Sequence, residues 1–305
     1  MLLDNLPFTK ITTLPLEDMG HKNKGVQVHI LRLDLTHEII SGNKWFKLMY
    51  NIKQALEDDH HTLLTFGGAY SNHISAVAEA CKQAGLNSIG VIRGEPTEPL
   101  NPTLMQALEC GMELHYIPRS EYRERKNESF IEGLHHRFGD FYHVPEGGSN
   151  ALGVTGAKEI ASLIDRDYDY ICCACGTGGT LAGIISASPP CREVIGFPVL
   201  KGGHFLHDEI VRLFVNRVST HWRLETNYHF GGYARVDEQL IGYIRYFYHK
   251  HQIKLDPVYT GKMMFGIEDM ISKGAFPSGS SILAIHTGGL QGIQGMEERL
   301  GEKIF

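Results

Sequence analysis

A chain of 305 residues is long enough to bury a full-sized core and to divide into two lobes. Its net charge of -6 and the absence of any Lys/Arg run argue against a nucleic-acid surface, and its apolar runs are strand-sized, so no membrane span is expected. The opening segment, Met1 to Leu16, lacks the basic start and apolar core of a signal peptide, and the six cysteines are therefore expected as free thiols in a reducing cytoplasm.

Short β runs alternate with amphipathic stretches along the chain, which predicts an α/β protein with largely parallel sheets. The strand Val26–Ile30 precedes a helix that begins near Trp45 and carries Leu48, Ile52, Ala55 and Leu56 at helical spacing. The strand Thr62–Phe66 runs into Gly67-Gly68-Ala69-Tyr70-Ser71-Asn72. The helix after it places Ile74, Val77, Ala78 and Cys81 on one face and stops at Gly85. Then follow strand Ile89–Ile92, helix Thr103–Cys110, strand Glu113–Ile117, helix Glu121–Phe138 and strand Phe141–Val144. Gly147-Gly148 marks a lobe boundary. Beyond it come a helix near Val154–Ile164 and the strand Tyr170–Ala174, which ends in Cys175-Gly176-Thr177-Gly178-Gly179-Thr180. Strand Val194–Phe197, helix Phe205–Val218, strand Arg223–Tyr228, helix Val236–Gln252 and a helix after Tyr259 complete the pattern, with strand Ile282–Ile285 leading into His286-Thr287-Gly288-Gly289.

Three segments carry chemistry. Ser41-Gly42-Asn43-Lys44 puts a lysine at the mouth of a helix. An amine forms an imine only when neutral, so the Lys44 pKa is expected to be lowered by burial or nearby positive charge, and the positive helix end and Lys47, three residues on, supply such charge. Taken alone, Gly-Asn-Lys is more often a solvated lysine that starts a surface helix. Gly176 to Thr180 follows an apolar strand and opens a helix, offering backbone N–H groups and the hydroxyls of Thr177 and Thr180 to a phosphate. It fails the dinucleotide fingerprint, because Leu181 stands where a third glycine belongs and no acidic residue ends the next strand. The Ser71-Asn72 turn can hold a substrate carboxylate, or can simply cap its helix; the two roles are compatible. Cys172, Cys173 and Cys175 alternate along a strand and lack zinc spacing, so no metal site is expected.

Taken in order, these pieces resemble the D-cysteine desulfhydrase and 1-aminocyclopropane-1-carboxylate (ACC) deaminase family, within the tryptophan-synthase-β-like pyridoxal-5′-phosphate (PLP) enzymes of fold type II. The likeness covers most of the chain. It runs through Leu31 to Leu35, Ser41-Gly42-Asn43-Lys44, Gly67-Gly68-x-x-Ser71-Asn72, Pro145-x-Gly147-Gly148-Ser149 and Gly176 to Thr180. Asp256-Pro257-Val258-Tyr259-Thr260-Gly261-Lys262 and His286-Thr287-Gly288-Gly289 complete it. The resemblance implies two open, twisted, mostly parallel sheets: a large PLP-binding lobe of residues 1–50 plus 151–305 and a small lobe of residues 51–150. It also implies a homodimer. Lys44 would carry PLP as a Schiff base and act as general base, and Gly176, Thr177, Gly178, Gly179 and Thr180 would hold the phosphate. Asn72 would contact the ring hydroxyl, and Thr260 would face the pyridine nitrogen. Ser71 would bind the substrate carboxylate and shuttle a proton, with Asn72 and Thr287 also at the substrate. Tyr233 and Tyr259 match two active-site tyrosines. The chain departs from the family at Trp45-Phe46 and through its middle helices.

The resemblance places a glutamate and a leucine in ACC deaminases where this chain has Thr260 and Thr287. A threonine beside the pyridine nitrogen suits elimination of a good β leaving group better than cyclopropane opening. The expected reaction is therefore α,β-elimination from a small D-amino acid, D-cysteine above all, giving pyruvate, ammonia and hydrogen sulfide. ACC deamination is the nearest alternative, followed by a racemase or L-specific dehydratase on the same fold. A nicotinamide-dependent oxidoreductase or a non-catalytic small-molecule binding protein would need no Schiff base.

Overall fold

The computed structural model describes residues 13–16 (backbone only), 25–96, 98–164, 166–214 and 218–305. Two separate sheets organise it. The larger has six strands in the order β1 (Thr13–Leu16), β2 (Gln27–Arg32), β10 (Ser281–His286), β7 (Tyr170–Cys175), β8 (Glu193–Pro198) and β9 (Trp222–Leu224). The smaller has four, β5 (Met112–Ile117), β4 (Asn87–Arg93), β3 (Thr62–Gly68) and β6 (Tyr142–Val144). Every pairing is parallel except β1 with β2.

Strands buried on both faces explain the continuous apolar runs of the sequence. All six residues of β7 are buried, and they alternate between two cores. Ile171, Cys173 and Cys175 face α1 (Asn43–Glu57), α5 (Ala151–Lys158) and α6 (Gly179–Ala187), while Tyr170, Cys172 and Ala174 face α8 (Glu238–His251) and α9 (Thr260–Ser272). Cys172 thus points away from Cys173 and Cys175. The small sheet packs Leu64, Phe66 and Val91 against Tyr122, Leu134 and Phe141, with α4 (Glu128–Phe138) over that core. Its other face takes α2 (Asn72–Ala84) and α3 (Pro102–Glu109).

Several predicted elements change form. The helix expected over 121–138 is a single turn of 3₁₀ helix at Glu121–Glu124, then α4, broken by Asn127 in extended backbone (φ -83°, ψ 131°). A tertiary tie overrides helical continuity here: the Tyr122 hydroxyl and Arg125 both reach Glu146, beyond the strand that follows. The helix expected from Val154 starts at Ala151, because the Asn150 side chain accepts the Gly153 N–H at 2.8 Å. The helix expected near 205–218 is α7 (Leu206–Arg212), and the strand expected over 223–228 shrinks to β9. Strand β1 and the closing helix α10 (Gly292–Leu300) were not predicted.

Candidate active site

The C-terminal ends of β3, β7 and β10 supply three loops, and the N-terminus of α1 is seated on one of them. Gly42 makes that seating possible. Its φ is +72°, and a Cβ there would lie 2.0 Å from the Thr287 carbonyl oxygen, so only glycine lets the chain pass. The Asn43 N–H donates to the same carbonyl at 3.2 Å. Lys44 follows in the first turn of α1, and its Nζ donates to Asn43 Oδ1 at 3.0 Å.

Burial lowers the Lys44 pKa from 10.5 to about 8, against the opposing pull of Cys173 and Asp256. Of the two causes expected from sequence, burial and nearby positive charge, burial is the larger. The repulsion between Lys44 and Lys47 is expressed at Lys47. Lys47 has a different place. It is only 1% exposed, its Nζ donates to Ser149 Oγ at 2.9 Å, and a Cβ on Gly179 would lie 2.7 Å from that nitrogen. Burial and the charge of Lys44 hold its pKa well below the usual lysine range.

Around Lys47 the polar groups converge. Ser149 Oγ and Thr177 Oγ1 share a hydrogen bond of 2.6 Å, and Asn43 Nδ2 donates to Thr180 Oγ1 at 2.7 Å. Helix α6 starts from Gly178 in left-handed backbone with no side-chain cap, which leaves its first-turn N–H groups without a side-chain acceptor. One lysine amine, three hydroxyls and a helix N-terminus without a side-chain cap make a cradle for a phosphate. Sequence reasoning found the glycine-threonine turn but missed Lys47 and Ser149. Their signal was the i, i+3 spacing from Lys44 and the serine that follows Gly147-Gly148.

The loop after β3 lies beside the Lys44 end of α1. Ser71 caps α2, accepting from the N–H groups of His73 (3.2 Å) and Ile74 (3.4 Å). The Asn72 amide packs against Gly289, where a Cβ would be 2.4 Å from its nitrogen, so Asn72 meets the turn that follows Thr287. Opposite, Asp256 is 1% exposed and fully engaged. Its Oδ1 accepts from the N–H groups of Val258 (2.9 Å) and Tyr259 (2.7 Å), and its Oδ2 accepts from the N–H (2.8 Å) and hydroxyl (2.6 Å) of Thr260. The Thr260 hydroxyl also accepts from the Asp256 N–H at 2.9 Å. A carboxylate therefore stands one hydrogen bond behind Thr260, a feature invisible in the sequence. The rings of Tyr233 and Tyr259 meet edge-on at 6.2 Å, and Tyr259 lies against Gly176. Burial raises both phenol pKa values, Tyr259 strongly, so both stay protonated near neutrality.

The model of the family described as pyridoxal-phosphate dependent enzyme matches residues 7–288. This chain belongs to that family. Among its relatives, the enzyme is 33% identical over 283 residues to a Pyrococcus horikoshii protein provisionally named 1-aminocyclopropane-1-carboxylate deaminase, a match covering 88% of this chain and 86% of the relative. It is 30% identical to the bifunctional D-cysteine desulfhydrase/1-aminocyclopropane-1-carboxylate deaminase of Arabidopsis thaliana, over 88% of this chain and 74% of that one. The crystal structure of an ACC deaminase homologue superposes with a TM-score of 0.79 at 29% identity, covering 98% of this chain and 97% of the other. At the level of fold alone, an O-acetylserine dependent cystathionine β-synthase from Helicobacter pylori matches with a TM-score of 0.66 at 16% identity, over 100% and 98% of the two chains. The α/β architecture of two parallel sheets is thus that of fold type II PLP enzymes.

The residues present fit the cofactor. A cradle of donors gathered around the buried Lys47 suits its phosphate, and an amine with a pKa of about 8 suits its aldehyde.

Proposed function

We propose that the enzyme deaminates a small amino acid by α,β-elimination, with D-cysteine preferred and pyruvate, ammonia and hydrogen sulfide as products. The observation that carries this reading is the Lys44 amine, poised toward neutrality between a phosphate cradle and the Ser71-Asn72 turn. Lys44 would hold PLP, and its free amine would accept the Cα proton at Nζ. The bound cofactor supplies an electron sink for the pair left on Cα. Lys47, Ser149, Thr177, Thr180 and the N–H groups of Gly178 and Gly179 hold the phosphate, and Asn72 orients the ring. Thr260, backed by Asp256, faces the pyridine nitrogen. Ser71, Thr287 and the start of α2 hold the substrate carboxylate. Tyr259 and Tyr233, both neutral phenols, donate a proton to the departing sulfur.

A second reading is ACC deamination. It is favoured by the names of the relatives and by Asp256, since a carboxylate behind Thr260 strengthens the site for a protonated ring nitrogen. For assembly and location we propose a cytoplasmic homodimer of two-lobed subunits, the lobes dividing near residues 50 and 150.

The test supplies D-cysteine, L-cysteine, D-serine and ACC to the PLP-loaded enzyme and follows keto-acid release, with Lys44→Ala as control. Release from D-cysteine above the others, abolished in the control, is the expected result. Turnover of ACC alone overturns the choice of substrate, and undiminished turnover by Lys44→Ala overturns the mechanism.

A further inference from the structure

At the rim of the site stands a cation that the elimination chemistry above does not use. Arg93 is the last residue of β4, in register with Gly68 at the end of β3, so it lies on the same sheet edge as the Ser71-Asn72 turn. One guanidinium nitrogen is 3.4 Å from where a Cβ on Gly68 would stand, and the guanidinium carbon is 5.7 Å from the centre of the Tyr122 ring. Arg93 is exposed, and among the described residues it makes no hydrogen bond or ion pair.

The surrounding charges leave it uncancelled. Glu146, which takes the Tyr122 hydroxyl at 2.9 Å, is already matched by Arg125 at 2.8 Å from Nε and 2.7 Å from Nη2. Arg125 pairs with that carboxylate, and among the described residues Arg93 has no carboxylate of its own. Its field reaches the Tyr233 hydroxyl, where it opposes the effect of burial. A lone guanidinium on the small sheet, at the edge that bears the Ser71-Asn72 turn and near enough for its charge to act on Tyr233, is suited to a planar or tetrahedral oxyanion.

We propose that Arg93 is a specificity residue that holds a negatively charged group at the far end of the substrate. The favoured substrates are then β-substituted alanines whose leaving group carries its own charge, such as phosphate or thiosulfate, with cysteine entering as its thiolate. This rests on the elimination reading and narrows it. The Cα–H pair becomes the Cα=Cβ bond, the Cβ–X bond breaks, and X departs with its electron pair. Lys44 Nζ keeps the proton, and water hydrolyses the released enamine to pyruvate and ammonia. Arg93 holds X before and during departure.

The test compares O-phosphoserine and S-sulfocysteine with the uncharged O-acetylserine and S-methylcysteine, each in both hands, on the PLP-loaded enzyme. A charged hydrogen bond of this kind corresponds to a preference of about 10- to 100-fold in kcat/KM for the charged member of each pair. Arg93→Gln should abolish that ratio, and Arg93→Lys should keep part of it. A binding readout runs alongside: aspartate, whose charged group is not expelled by α,β-elimination, and alanine, followed through the cofactor absorbance, should separate in Kd for the parent and converge in Arg93→Gln. Turnover of the uncharged substrates with no charge preference, or a preference that survives in Arg93→Gln, overturns the role of Arg93 alone. If no amino acid is deaminated or perturbs the absorbance, the elimination reading itself falls, and this inference with it.

Discussion

Lys44 shows how one buried amine sets both reactivity and a stability cost. Its pKa falls from 10.5 in the unfolded chain to about 8 in the cofactor-free fold. Below pH 8 both states are protonated, and the folded state carries a desolvated charge at a cost of about 3 kcal/mol. Between pH 8 and 10.5 the unfolded chain binds more protons, so stability rises with pH; above that range the cost is gone. Lys44→Met should therefore stabilise the cofactor-free protein by about 3 kcal/mol at pH 7. Denaturant unfolding at pH 7 and pH 10 checks this, and an equal gain at both would contradict it. Sequence reasoning located this lysine and named burial and nearby charge without deciding between them. Helix-end and neighbour effects are visible in a linear chain, whereas desolvation depends on the walls that fold around the amine.

At the scale of elements, the site depends on how closely α1 can approach its neighbours. Gly156 of α5 meets the backbone of α1, and a Cβ there would sit 1.8 Å from the Phe46 carbonyl oxygen. Gly42 seats the start of α1 on the 286–289 turn with equal tightness. Gly42→Ala should force a methyl into the Thr287 carbonyl at a positive φ and cost more than about 3 kcal/mol, mostly by displacing the first turn that bears Lys44. The expected observation is a lower thermal midpoint together with loss of the PLP absorbance; a variant that keeps both removes Gly42 as the hinge of this geometry. The long helix predicted over 121–138 fails at the same scale. Its local pattern is sound, but Glu146, distant in sequence, holds Tyr122 and Arg125 in a separate turn.

For the whole molecule, the two sheets place the candidate residues on loops that converge, so cofactor binding and global stability are linked. PLP at a hundred times its Kd should raise the unfolding free energy by about 2.7 kcal/mol. Lys47→Met removes the amine from the cradle, and affinity should fall by about 10- to 100-fold. At fixed PLP concentration the midpoint gain should shrink accordingly. Thermal unfolding and fluorescence titration together check this. An unchanged Kd in Lys47→Met would remove Lys47 from the phosphate site.

The sequence by itself determined the parallel α/β class, the lysine at the mouth of a helix and the glycine-threonine turn. Each is written in local periodicity or in residues whose backbone demands are specific. Only the tertiary structure decided that Lys47 and Ser149 meet across the fold at that turn, that Asp256 stands behind Thr260, and that Arg93 is left unmatched while Arg125 is neutralised. Those outcomes depend on distances between residues far apart in the chain. Short-range pattern does not encode them, because burial and charge balance are summed over everything that packs nearby.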